Sequence, residues 1–386
     1  MTTILVGPRS TKDAVTGMRI AFDLLVSGFV DRSLDHIVIN RSEWSGAQKA
    51  GKFSLGKALF TVRQLMSFYA KLWRGKTVYI AIGTSRSGFF RDALMIWPSW
   101  FLRKRLVLHL HGGGFRDFYQ NNLAWFQFFM RHTFSKADAI VVLGELLRDQ
   151  FAFVDGVEEK IRVVPNGLPN GFQGITGKPK RLHSKKPLNI LYLSNMIPSK
   201  GYLDVLEACH ILHNIRQVPI QCDFCGTFLE TIMDENKSVK YDEQHFLTRI
   251  HEYGLESVVE YHGAVRGTHK QYILQSAHVF VLPTSFPWEG QPISIIEALA
   301  FCTPVISTYY RGIPEQVRDG YNGFLVAPKS PEEIADAVEN MWRSPKLYRK
   351  ISQNAFEQFE EFFTQEAHLN RLIPIILGQE TAGRTL

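Results

Sequence analysis

The chain of 386 residues contains no apolar run of the roughly 18 to 20 residues that would cross a bilayer. Its start, MTTILVGPRS, lacks a basic end followed by a long apolar core, so a cytoplasmic protein without a signal peptide is expected. Cysteine is scarce. Cys209, Cys222, Cys225 and Cys302 are the four, all in the second half, and Cys222 and Cys225 form a C-x-x-C within the strand-like IQCDFCG. Residues three apart on a strand point to opposite faces, and no second Cys or His pair follows at zinc-ligand spacing, so buried thiols are expected. No G-x-x-x-x-G-K-[ST] loop is present, which removes a P-loop nucleoside triphosphatase. The absence of helix-turn-helix, zinc-finger and ribonucleoprotein motifs argues against nucleic acid as a partner.

Charge is present but unevenly placed. From Met1 to Pro165 there are 23 Lys and Arg against 13 Asp and Glu, and the totals of 44 and 37 leave 21 against 24 for the remainder. A basic front half suits an anionic acceptor or an anionic membrane surface. The same half carries FFRDALMIWPSWFLRKR, Phe89 to Arg105, and NNLAWFQFFMRHTF, Asn121 to Phe134. Aromatics beside cations fit a headgroup boundary, and they fit sheet-covering helices equally well.

The length suggests two or three domains. ILVG is a short strand; HIVIN, TVYIAIG, RLVLHLHGG, DAIVVLG and IRVVPNG follow between helical patterns, and continuous Val, Ile and Leu runs imply four or five strands of a parallel sheet buried on both faces. From Gly171 to Pro187 the chain turns polar and basic, with Lys178, Lys180, Arg181, Lys185 and Lys186 among glycines and prolines, the composition of a linker. A second series follows: LNILYLS, IQCDFCG, VVEYHG, HVFVLP, VIST and GFLV. The expected division is a first domain over 1–175, a linker over 176–187, a second domain over 188–355 and a terminal helical, aromatic segment over 356–386.

Within the second series stands FPWEGQPISIIEALAFCTPVIS, Phe286 to Ser307. Strand, turn, helix and strand make a βαβ unit, whose ligands bind beyond the carboxyl ends of the strands. Gly290 permits close backbone approach, and Pro292 suits a first helical turn. Glu289 falls in the turn and Glu297 about a turn and a half into the helix, so both can face one bound molecule. The amides near Gly290, Gln291 and Ile293, with the helix dipole behind them, suit an anion. A carboxylate beside a phosphate must face hydroxyl groups instead. A sugar nucleotide offers both.

This stretch, continued by RGIPEQVRDGYNGFLVAP from Arg311 to Pro328, resembles the E-x(7)-E signature of glycosyltransferase family 4, retaining enzymes of the GT-B fold. The resemblance implies an α/β protein of two Rossmann-like domains, with parallel sheets facing a central cleft and the last helix crossing back onto the first domain. In SNMIPSKGY, Ser194 to Tyr202, Lys200 and Gly201 match the Lys-Gly pair that clamps the donor diphosphate, whereas Asn195 stands where the family has arginine. Arg266 and Arg311 are candidate replacements, or plain exposed arginines. A glycine-rich turn usual near the first strand is reduced to Gly7 and Gly17, with Arg9 and Lys12 either candidate phosphate contacts or part of a plain surface loop. The family places a histidine at the position of His111 beside the donor sugar, while His109, on the same strand face but deeper, reads as core.

His111 to Gly114 also spells the HGGG loop of some esterases. That chemistry needs a following G-x-S-x-G, and the nearest approach, GTSRSG at Gly83 to Gly88, has the wrong spacing and precedes it. No D-x-D occurs, so no metal and no cofactor are expected, and Lys200 with helix amides would neutralise the leaving diphosphate. By resemblance Glu289 meets sugar hydroxyls, Glu297 the ribose, and Gly263 and Val265 the base. The implied activity is transfer of a sugar from a nucleotide sugar to a saccharide acceptor, lipid-linked as in bacterial surface polysaccharides, at the inner membrane face. A nucleotide-sugar epimerase of similar plan and a non-catalytic sugar-nucleotide-binding subunit are the alternatives.

Overall fold

The computed structural model describes residues 2–11, 16–42, 55–172, 174–182, 186–229 and 239–380. Lys12 and Lys185 lie outside them. Strands and helices alternate from the start: β1 (Thr3–Gly7), α1 (Gly17–Asp31), β2 (His36–Asn40), α2 (Leu55–Leu72), β3 (Thr77–Ala81), α3 (Arg86–Phe101), β4 (Arg105–His109), α4 (Phe115–Gln120), α5 (Ala124–Phe134), β5 (Ala139–Val142) and β6 (Ile161–Val163). The six strands form one parallel sheet in the order β2-β1-β3-β4-β5-β6. Alternation along each strand feeds two cores. Ile4, Val78, Ile80, Leu106 and Leu108 meet Phe68, Phe89, Ile96 and Met130 of α2, α3 and α5 on one face. Leu5, Tyr79 and Val107 meet Phe22, Leu25 and Phe29 of α1 on the other.

The second series runs β7 (Leu188–Leu193), α6 (Tyr202–His210), β8 (Ile220–Cys225), α7 (Val239–Glu252), β9 (Val259–Gly263), α8 (Gly267–Ser276), β10 (Val279–Leu282), α9 (Ile293–Ala300), β11 (Val305–Thr308), α10 (Ile313–Gln316), β12 (Gly323–Val326), α11 (Pro331–Arg343) and α12 (Pro345–Gln358). Its sheet is again parallel, in the order β12-β11-β10-β7-β8-β9. Read from the other edge, that is the doubly wound order 3-2-1-4-5-6, and its strand order reverses between β7 and β10. All four cysteines are free and buried.

Contacts divide the chain into one unit of Met1–Pro169 with Thr364–Leu386 and another of Asn170–Phe363. The polar segment read as a linker is therefore not a free tether. Lys180 runs its amine to Leu274 O (2.9 Å) and Thr303 Oγ1 (2.7 Å), with Ala277 O as a third acceptor, and its amide donates to Ser352 Oγ at 3.1 Å. The return falls at Thr364 rather than at 356. Ser352 and Gln358 of α12 stay tied to Cys302 and Asn322 of the second unit, and a π-helical turn, Phe359–Phe363, follows. Thr364 then caps α13 (Gln365–Leu377), accepting from the Ala367 amide at 3.1 Å. Leu369, Leu372 and Ile376 of α13 complete the α1 face of the first sheet.

Candidate functional site

Parallel doubly wound sheets offer a ligand the carboxyl ends of the strands where their order reverses. In the second unit that point lies between β7 and β10, which pair through Val279 with Ile190 and Phe280 with Leu191. After β7 the chain makes one 3-10 turn, Pro198–Lys200, and Gly201 follows at φ 76°. After β10 the loop 283–292 leads into α9. The two loops are sewn together where the Ser285 amide donates to Ser199 O at 2.7 Å.

Across that seam Lys200 Nζ donates to Glu289 Oε2 at 3.0 Å, and Thr284 Oγ1 donates to the same oxygen at 3.2 Å. The amine also lies 5.0 Å from the centroid of the Phe286 ring. Glu289 is buried, and these donors satisfy its inner oxygen. Glu297, deeper on α9 and also buried, accepts from Lys270 Nζ of α8 at 2.6 Å. The two expected carboxylates thus each hold a lysine. Gly290, Gln291 and Ile293 are buried at the start of α9. Pro292, with φ −58° and ψ 120°, precedes the first helical turn rather than occupying it, and its carbonyl accepts from Gln316 Nε2 at 3.1 Å.

The remaining expected contacts in this unit stand on neighbouring strand ends. Gly263 closes β9 at φ 62°, its carbonyl accepting from the Gly226 amide at 2.8 Å. Val265 is half-buried, and Arg266 is exposed at the N-cap of α8. Asn195 is exposed just past β7. Arg311, beyond β11, lies against the Tyr310 ring, 5.4 Å from its centroid. Two partners escaped the sequence reading, Lys270 and Thr284. Thr284 was legible as the polar turn residue ending β10, but Lys270 carries no local signal.

His111 belongs to the first unit, two residues beyond β4, with Gly17 at the exposed start of α1. Its ring stacks on His109 at 3.9 Å between centroids. His109 Nδ1 shares a 2.7 Å hydrogen bond with the buried Tyr79 hydroxyl, which bears out its reading as core. Both ring nitrogens of His111 are buried. Burial pushes its pKa down to about 3, with His368 adding to the effect and Asn166 opposing it. His111 is therefore a neutral imidazole at neutral pH. Arg9 is paired with Asp23.

Among the described residues, one group has the spacing of cation ligands: Asp223 of β8 with Glu260 and His262 of β9. Glu260 is exposed, and His262 Nε2 is already hydrogen-bonded to Asp223 at 2.7 Å.

Two parallel α/β units, with a lysine–glutamate pair at the strand-order reversal of the second, define a protein of the GT-B fold. The chain belongs to glycosyltransferase family 4: residues 79–170 match the model described as Glycosyltransferase Family 4, and residues 176–358 the one described as Glycosyl transferases group 1. Among curated proteins it is 26% identical over 253 residues to the putative colanic acid biosynthesis glycosyltransferase WcaL of Escherichia coli, covering 64% of this chain and 58% of that one. The Salmonella typhimurium protein of the same name is 28% identical over 196 residues, covering 50% of this chain and 45% of that one. The chain thus spans about half the length of the curated relatives it matches. Among solved structures, Anabaena HepE in complex with UDP aligns over 98% of this chain and 100% of its own with a TM-score of 0.68 at 16% identity. Sucrose-phosphate synthase from Thermosynechococcus elongatus aligns over 98% of both chains with 0.70 at 17%. Likeness at such identities concerns the fold.

Proposed function

We propose that this protein is a retaining glycosyltransferase that moves a sugar from a nucleoside diphosphate sugar to a saccharide acceptor, lipid-linked, in the assembly of a polysaccharide or glycolipid. The observation that carries the reading is the Lys200–Glu289 pair at the β7/β10 reversal. Family membership supports it, as do relatives named for colanic acid biosynthesis and a structural neighbour solved with UDP and glucose.

A lysine and a glutamate held together in the free protein are two complementary contacts awaiting a ligand that has both an anion and hydroxyls. The diphosphate takes the ammonium of Lys200, and sugar hydroxyls donate to the carboxylate of Glu289. Lys270 and Glu297 repeat the arrangement for the ribose, the carboxylate accepting from its hydroxyls. Gly263 and Val265 offer backbone to the base, and the amides leading into α9 face phosphate oxygens.

Cleavage of the anomeric C–O bond sends its electron pair to the leaving phosphate and builds positive charge on the sugar. Lys200 stabilises the first of these charges. The acceptor hydroxyl attacks the same face, its proton passing to the departing phosphate oxygen, so the configuration is kept and no metal is called upon.

Lys200→Ala is expected to lower kcat roughly 10²- to 10³-fold, the size seen when one transition-state charge partner is removed. The assay is release of nucleoside diphosphate, which should require the acceptor and persist in chelator. An unchanged rate in the variant would remove Lys200 from the reaction. Release of an altered nucleotide sugar without acceptor would make the protein an epimerase.

A further inference from the structure

The helices on one face of the first sheet each have a second apolar stripe directed away from the core. On α2, Phe68 and Leu72 face inward, whereas Leu59, Val62, Met66 and, one step past the helix, Trp73 are exposed. Their spacing of three, four and seven places them on a single helical face. On α3 the exposed Phe90, Leu94 and Phe101 recur at four and seven. On α5, Trp125 and Phe128 do so at three.

These stripes adjoin. α3 packs between α2 and α5, Tyr69 of α2 donates to Leu94 O at 2.8 Å, and Phe90 meets Phe126 of α5 at 5.5 Å between ring centroids. Of the 21 exposed large apolar side chains among the described residues, 11 lie on these three helices or at their ends. Such concentration on one face marks an interaction surface.

Charge identifies what covers it. From 55 to 137 the chain carries 13 Lys and Arg and two acids, Asp92 and Asp117. Asp92 is buried against Arg41 at 2.7 Å and so adds nothing outside. Arg63, Arg74 and Arg103 are exposed around the stripes, and Lys136 Nζ lies 4.4 Å from the centroid of the Trp100 ring. A second copy of the chain would set basic against basic across a symmetric contact. Nucleic acid would accept the cations but leave Leu, Val and Met without partners. An anionic bilayer surface satisfies both, since apolar side chains enter below the headgroups, tryptophans sit at that level, and cations meet lipid phosphate.

We infer that the outer face of α2, α3 and α5 docks this protein on an anionic lipid surface. The inference deepens the proposal of a lipid-linked acceptor and rests on it for its purpose, though not for its test. The full chain is centrifuged with phosphatidylcholine vesicles, with and without phosphatidylglycerol. It should pellet only with the anionic lipid and be released by salt. Its tryptophan emission should be quenched by lipids brominated along the acyl chain, a reading that needs no variant.

The triple variant Trp73→Ser, Phe101→Ser, Phe128→Ser should bind at least tenfold more weakly. Arg63→Glu with Arg74→Glu should lose about fivefold or more per site. Both variants should retain transfer to a water-soluble saccharide acceptor, which reads the chemistry separately. The inference is overturned if the wild type stays in the supernatant with anionic vesicles at low salt, or if the triple variant binds as the wild type does. A dimer that the triple variant abolishes, in a protein that ignores vesicles, overturns it too.

Discussion

Gly201 shows how one residue secures the seam between two loops. It sits at φ 76°, where L side chains are strained, and a Cβ there would lie 2.6 Å from Pro283 O and 2.7 Å from Pro283 Cγ. Gly201→Ala should therefore cost about 1–3 kcal/mol, read as a lower urea midpoint, and should loosen the Lys200–Glu289 contact beside it. A midpoint equal to the wild type would show that the β7 loop can shift away from Pro283. At this scale Lys200, Gly201, Glu289 and Glu297 were legible in the chain, because each stands in a motif a few residues long. Lys270 was not, since it lies 27 residues from the carboxylate it holds and only the folded sheet brings the two together.

Central strands such as β3, β4, β5 and β10 were readable because a parallel sheet buried on both faces requires continuous apolar runs, and these are bounded by turn residues. The segment before β7 misled for the converse reason. Its glycines, prolines and lysines have the composition of a tether, yet Lys180 is half-buried, and desolvation of its amine pushes its pKa down to about 7. Three oxygen acceptors surround its amine, and they lose their donor in Lys180→Ala. The variant should lose roughly 2–4 kcal/mol of stability, measured by urea unfolding. A loss below about 0.5 kcal/mol, the range of ordinary surface changes, would return the segment to the status of a tether. Composition reports average preference, and one long side chain with a small apolar stem can leave that average unchanged while entering a core.

Across the molecule, the first unit holds the buried imidazoles of His109 and His368 and that of the half-buried His111, whose ring nitrogens are covered. Burial lowers His111 to about 3 and His368 to about 4 and takes His109 well below its ordinary value of 6.5. The unfolded chain binds protons at these positions from about pH 6.5 downward while the folded unit refuses them. The stability they contribute is complete above 6.5 and is lost as the pH falls toward the folded values. The thermal midpoint should drop between about pH 6.5 and about pH 4, and less steeply in His368→Gln, whose amide can still donate to Pro165 O. Parallel pH profiles for the two proteins would assign the acid sensitivity to other groups.

His368 arrives on α13, whose sequence shows an apolar stripe but not the sheet it covers. The chain's order of residues dictated the alternation of strand and helix, the parallel sheets, the family motif and the aromatic, basic character of the front half, since all of these are periodicities or short patterns. Folding decided which charges pair, that the Lys180 amine is held by three oxygens, that α13 joins the first unit at Thr364, and that the aromatics of α2, α3 and α5 form two stripes, one in the core and one outside. Those outcomes depend on contacts between residues tens to hundreds of positions apart, and a side chain's identity carries no record of the partner that packing will bring to it.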